Sequence, residues 1–99
     1  MVEMSKIFLQ QAPFVKKILE ECPLKKDFEA IRFEAHKFKS TVNIMGLEQL
    51  REYASETEKL YHEGEPNIDT SELLGNFVKQ IDIDIVNVKN AILRIETGN

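Results

Sequence analysis

From Phe28 to Met45 the residues Phe28, Ile31, Ala35, Phe38, Val42 and Met45 follow one another at intervals of three or four without exception. That interval is the period of an α-helix with one buried face, and it excludes a strand, whose buried positions alternate. Asp27 stands just before the run as a helix cap and Gly46 just after it as a break, so the spacing predicts a helix from about Asp27 towards Gly46. Such a helix needs other helices to cover its apolar stripe.

Three further blocks carry the same period. In SKIFLQQAPFVKKILEEC, residues Phe8, Ala12, Val15 and Leu19 share one face, with Ile18 and Cys22 beside it. Pro13 removes a hydrogen bond and crowds the preceding turn, so a kink or restart is expected near Ala12 and Pro13, and Pro23 is expected to end the segment. Leu47, Leu50, Ala54, Thr57 and Tyr61 mark a third helix, and HEGEPNIDT, residues 62–70, reads as the long loop. The last block opens with Asp69 three residues before Glu72, the spacing of a capping box. Its middle, QIDIDIVNV, alternates like a strand. However, Leu74, Phe77, Ile81, Ile85, Val88, Ile92 and Ile95 hold the helical interval over about six turns. The expected fold is all-α: an up-and-down antiparallel four-helix bundle with its first helix kinked at Pro13.

Ninety-nine residues, 42 % hydrophobic and 30 % charged, suffice for one core, so a single domain over residues 1–99 is expected. A chain of this size buries roughly 60–70 % of the surface it exposes when unfolded. The net charge is −4 and the lysines and arginines are scattered, which argues against nucleic acid as a partner. No apolar run approaches the length of a membrane span, and the start MVEMSKIF lacks the apolar stretch of a signal peptide; a cytoplasmic location is expected. Cys22 has no second cysteine with which to pair and no ligands at zinc spacing, and reads as a small apolar residue near a helix end.

The second helix also carries a histidine. With residues spaced about 100° apart, His36 lies about 130° from the centre of the buried arc and faces outward. Arg32, Lys39, Ser40 and Asn43 flank it within two turns. Cations and hydrogen bonders of this kind would stabilise a phosphoryl group on the imidazole, and a small residue at position 40 leaves the approach open. A solvated surface histidine is the competing reading, and periodicity alone does not choose between them. Phe33 also points away from the core, as an exposed docking anchor or as a contact with the first helix.

The stretch AHKFKSTVNIMGLEQL, residues 35–50, resembles the signature of histidine-containing phosphotransfer domains: alanine, histidine, an apolar residue, lysine, glycine and a second glycine opening the next helix. Here these places hold Ala35, His36, Phe38, Lys39, Ser40 and Gly46. Phe8, Leu9, Pro13, Asp27, Leu50, Ala54 and Glu58 extend the likeness over about residues 5–62. Ser40 departs from the usual glycine, adding a side chain beside the imidazole, and Thr57 departs from the usual leucine.

The resemblance implies a phosphorelay intermediate in which His36 takes a phosphoryl group from a receiver-domain aspartate and passes it to another receiver. Lys39 would neutralise phosphoryl charge, with Arg32, Phe33, Ser40 and Asn43 on the neighbouring docking face. No cofactor or metal site is expected in the chain, since Mg2+ would sit on the receiver, and no autonomous kinase activity is expected, since no glycine-rich phosphate loop is present. The expected partners are response-regulator receiver domains and a hybrid sensor histidine kinase, met by a monomer. Two alternatives stand beside this reading. One is a docking module that binds receivers or kinases without being phosphorylated. The other is a carboxylate-type metal bundle, for which Glu58 and His62 share a face but position 33 holds Phe33 where glutamate would be needed.

Overall fold

The computed structural model describes residues 2–97 as four helices: α1 (Val2–Lys25), α2 (Phe28–Ile44), α3 (Glu48–Leu60) and α4 (Ser71–Glu96). No strand occurs among the described residues, and the alternating stretch of residues 80–88 lies inside α4. Each helix packs on its two neighbours in the ring α1, α2, α3, α4, giving a bundle 49 × 19 × 18 Å in extent. No helix among the described residues is long and apolar enough to cross a membrane.

The first helix does not restart at Pro13 and ends later than Pro23 predicts. It runs unbroken through Pro13 and through Pro23, and ends only at Lys25. Pro13 is exposed, so its ring meets solvent and not a neighbouring helix. The stop comes from backbone closure: Asp27 N–H donates to the Cys22 carbonyl (3.0 Å), Lys26 N–H donates to the Pro23 carbonyl (3.3 Å), and Lys26 takes a left-handed φ of 57°. This paired closure satisfies carbonyls that the last turn would otherwise leave bare. Asp27 then caps α2 by accepting from Ala30 N–H (3.2 Å).

The same closure ends α2. Leu47 N–H donates to the Val42 carbonyl and Gly46 N–H to the Asn43 carbonyl, with Gly46 at φ 72°. Because the turn is this tight, α3 must return antiparallel along α2. At α4 the expected capping box is displaced: the helix starts at Ser71, and Asp69 accepts from Ser71 N–H (2.9 Å), which holds its carboxyl below the usual range.

Phe8, Val15, Ile31, Phe38, Leu50, Phe77 and Ile81 are fully enclosed. Phe8 stacks on Phe38 (5.8 Å between centroids), Phe38 on Phe77 (6.1 Å) and Phe77 on Tyr53 (6.1 Å), so one aromatic column crosses all four helices. Thr57 is also enclosed, and its hydroxyl is satisfied by donating to the Tyr53 carbonyl (2.7 Å). Cys22 lies in this core, and burial pushes its thiol up, away from the reactive thiolate.

Candidate functional site

The stripe Ile31, Ala35, Phe38 and Val42 fixes how α2 is rotated, because all four are fully buried against the other helices. His36 must then face outward, and its side chain retains 59 % exposure. Its position on the wheel leans towards α3. There it meets a carboxylate: His36 Nδ1 lies 2.6 Å from Glu58 Oε2, and the other oxygen, Glu58 Oε1, accepts from Lys39 Nζ at 2.6 Å. Glu58 is the least exposed of the three, at 21 %, and its hydrogen bonds first to Lys39 and then to His36 hold its carboxyl below the usual value of 4.5.

The ionised carboxylate has only acceptors to offer. The proton between it and the ring therefore belongs to Nδ1, and the lone pair of a neutral His36 stands on Nε2. A half-exposed imidazole with its outer nitrogen basic and a lysine one turn away can act as a nucleophile towards an electrophile brought from outside. Among the described residues, no group of three or more histidine, cysteine, aspartate or glutamate side chains could hold a metal ion.

A family model described as the Hpt domain matches residues 3–96, nearly the whole chain. The chain belongs to the Hpt domain family. No curated protein and no solved structure matches it. As an Hpt domain it is a phosphotransfer module of two-component phosphorelays, and Hpt domains interact with receiver domains.

Within this Hpt domain the residues singled out from the sequence divide into two groups. His36 and Lys39 are brought together through Glu58, and Lys39, Ser40 and Asn43 border one hollow between α2 and α3. Arg32 and Phe33 are engaged elsewhere. Arg32 is paired with Glu29 on its own helix, while Phe33 is half-exposed with Lys37 Nζ 4.7 Å from its ring centroid. Phe33 thus lies on the outer strip of α2 and does not pack into the core.

The residue that the α2 pattern does not reveal is Glu58, although a signal for it exists. In an antiparallel hairpin, residues equally far from the turn face each other. His36 and Glu58 stand equally far from Leu47, as do Lys39 and Ser55, and Asn43 and Arg51. Reading outward from Leu47 in this way finds the whole α3 side of the site. His62 borders a hollow shared with Lys39, Ser55, Glu58 and Lys59, but the bonds of Glu58 go to His36 and Lys39.

Proposed function

We propose that His36 is the phosphoryl acceptor of a phosphorelay, taking the group from the phosphoaspartate of one receiver domain and passing it to the aspartate of another. The observation that carries this reading is the short Glu58 to Nδ1 contact, which leaves Nε2 as the exposed, unprotonated nitrogen. In the forward step the Nε2 lone pair attacks phosphorus in line with the aspartyl oxygen. The N–P bond forms, the P–O bond breaks, and the aspartate leaves as a carboxylate. Nδ1 keeps its proton throughout and its hydrogen bond to Glu58 disperses the positive charge that the ring acquires.

Lys39 neutralises phosphoryl charge by exchanging one Glu58 oxygen for a phosphoryl oxygen, a small movement of a flexible side chain. Mg2+ and the remaining machinery belong to the receiver, and the chain works as a cytoplasmic monomer. Phe33 and Ile44, both exposed on the outer strip of α2, offer the apolar contact on which a receiver would sit.

The test is transfer from a receiver domain phosphorylated in the presence of Mg2+ to this protein and to its His36→Gln variant. Acid-labile label on the wild type and none on the variant is expected. Wild-type protein that binds receivers but stays unlabelled would make it a docking module instead.

A further inference from the structure

Along α2 from His36 and Glu58, the facing surfaces of α2 and α3 part to leave a hollow of about 340 Å3. Lys39, Ser40 and Asn43 line it from α2, and Arg51 and Ser55 from α3. The lining holds two cations, an amide and two hydroxyls, with no carboxylate and no apolar side chain, in a chain of net charge −4. Such a local reversal of charge favours an anion.

The side chains of Ser40, Asn43 and Ser55 have no hydrogen-bond partner among the described residues. Among the described residues Arg51 is paired only with Glu48 of its own helix (3.1 Å), whose side chain is 76 % exposed. A pair of this kind is weak and readily given up for a better one. Lys39 is engaged by Glu58 and, in the reading above, by the phosphoryl group at His36, so it is not spare for a second ligand. The capacity left in the hollow is therefore one guanidinium fork, an amide and two hydroxyls. That set matches a singly charged carboxylate, which a guanidinium grips through two parallel hydrogen bonds, whereas a phosphate dianion would need a second uncommitted cation.

Asn43 lies two turns beyond His36 on nearly the same line of the helix, about 10 Å away along its axis. A receiver aligned with His36 would cover the hollow with its own surface. Resting on the receiver docking described above, we propose that this hollow is a second recognition site, which takes an aspartate or glutamate side chain from the surface of the docked receiver. Arg51 is the residue that selects receivers carrying that carboxylate. Ser40, where the family usually has glycine, contributes its hydroxyl to the wall and so belongs to partner choice and not to the chemistry.

The test measures two quantities across a set of receiver domains: the Kd of each unphosphorylated receiver, and transfer from each receiver phosphorylated with acetyl phosphate and Mg2+. Both are compared for the wild type, Arg51→Gln and Arg51→Glu. For receivers that bind, Arg51→Glu raises Kd on the order of tenfold and Arg51→Gln raises it less, while transfer at saturating receiver stays within about twofold of wild type. Added salt weakens wild-type binding more than binding by Arg51→Glu. Changing the receiver's surface carboxylates to lysine one at a time finds one change that weakens binding to the wild type and restores it to Arg51→Glu. Unchanged Kd in both variants, with the helical circular dichroism retained, overturns the proposal. So does a fall in saturating transfer at unchanged Kd. Receivers that bind in an Arg51-dependent way but never transfer would sink the phosphotransfer reading alone, and binding by no receiver would sink both.

Discussion

Glu58 holds both His36 and Lys39 with one carboxylate, so its charge state should be visible in stability and, if His36 is the acceptor proposed above, in transfer. Its carboxyl is depressed in the folded state by Lys39 and then by His36. The stability it contributes is complete above the ordinary glutamate value of 4.5 and is lost as pH falls through the lower folded value. Glu58→Gln should therefore flatten the dependence of unfolding free energy on pH as the pH falls below the ordinary glutamate value of 4.5, measured by urea titration at each pH. The same variant should slow transfer to His36 by about tenfold or more, because the neutral amide lacks the charge that holds the Nδ1 proton and can present its NH2 to the ring in place of its oxygen. The outward direction of His36 was legible from α2 alone, since Ile31, Ala35, Phe38 and Val42 fix the buried side. The carboxylate was not, because a partner on another helix depends on how two helices align, which no periodicity within one helix encodes.

Helix ends and prolines show where local rules and packing part company. Asp27 caps α2 as its residue type predicts, and Gly46 closes it with a left-handed φ of 72°. A Cβ at Gly46 would meet nothing within 4 Å, so the cost of Gly46→Ala comes from backbone conformation alone. About 1 kcal/mol of lost stability is expected in chemical denaturation, with the α2 to α3 register and hence the His36 to Glu58 contact preserved. At Pro13 the rule predicts a kink or restart, and α1 does not restart, because Phe8, Ala12, Val15 and Leu19 are buried on one continuous face that spans it. Packing along the whole helix outweighs one missing hydrogen bond. Pro13→Ala, at an exposed position, should recover part of that loss and stabilise the protein by about 1–2 kcal/mol, read from the denaturation midpoint.

At the scale of the molecule, α1 and α4 have 24 and 26 residues against 17 and 13 in α2 and α3, so the bundle is four helices thick only over part of its length. Ile95 belongs to the apolar stripe of α4 by spacing yet is 59 % exposed. The pattern gives a residue's face, but helix lengths decide whether anything covers that face. The aromatic column lies where all four helices meet, and Phe38 is its centre, stacked on both Phe8 and Phe77. Phe38→Ala should cost about 3–5 kcal/mol, a large share of the stability of a domain this size, whereas the exposed His36→Gln should leave the thermal midpoint nearly unchanged. The role proposed for His36 can thus be tested without removing the fold. The most direct measurement is a long-range 1H–15N spectrum of the histidine rings after phosphoryl transfer from a receiver to the intact protein. Phosphorus on Nε2 of His36, with Nδ1 still protonated, is the predicted result; phosphorus on Nδ1, or on any residue other than His36, would contradict it.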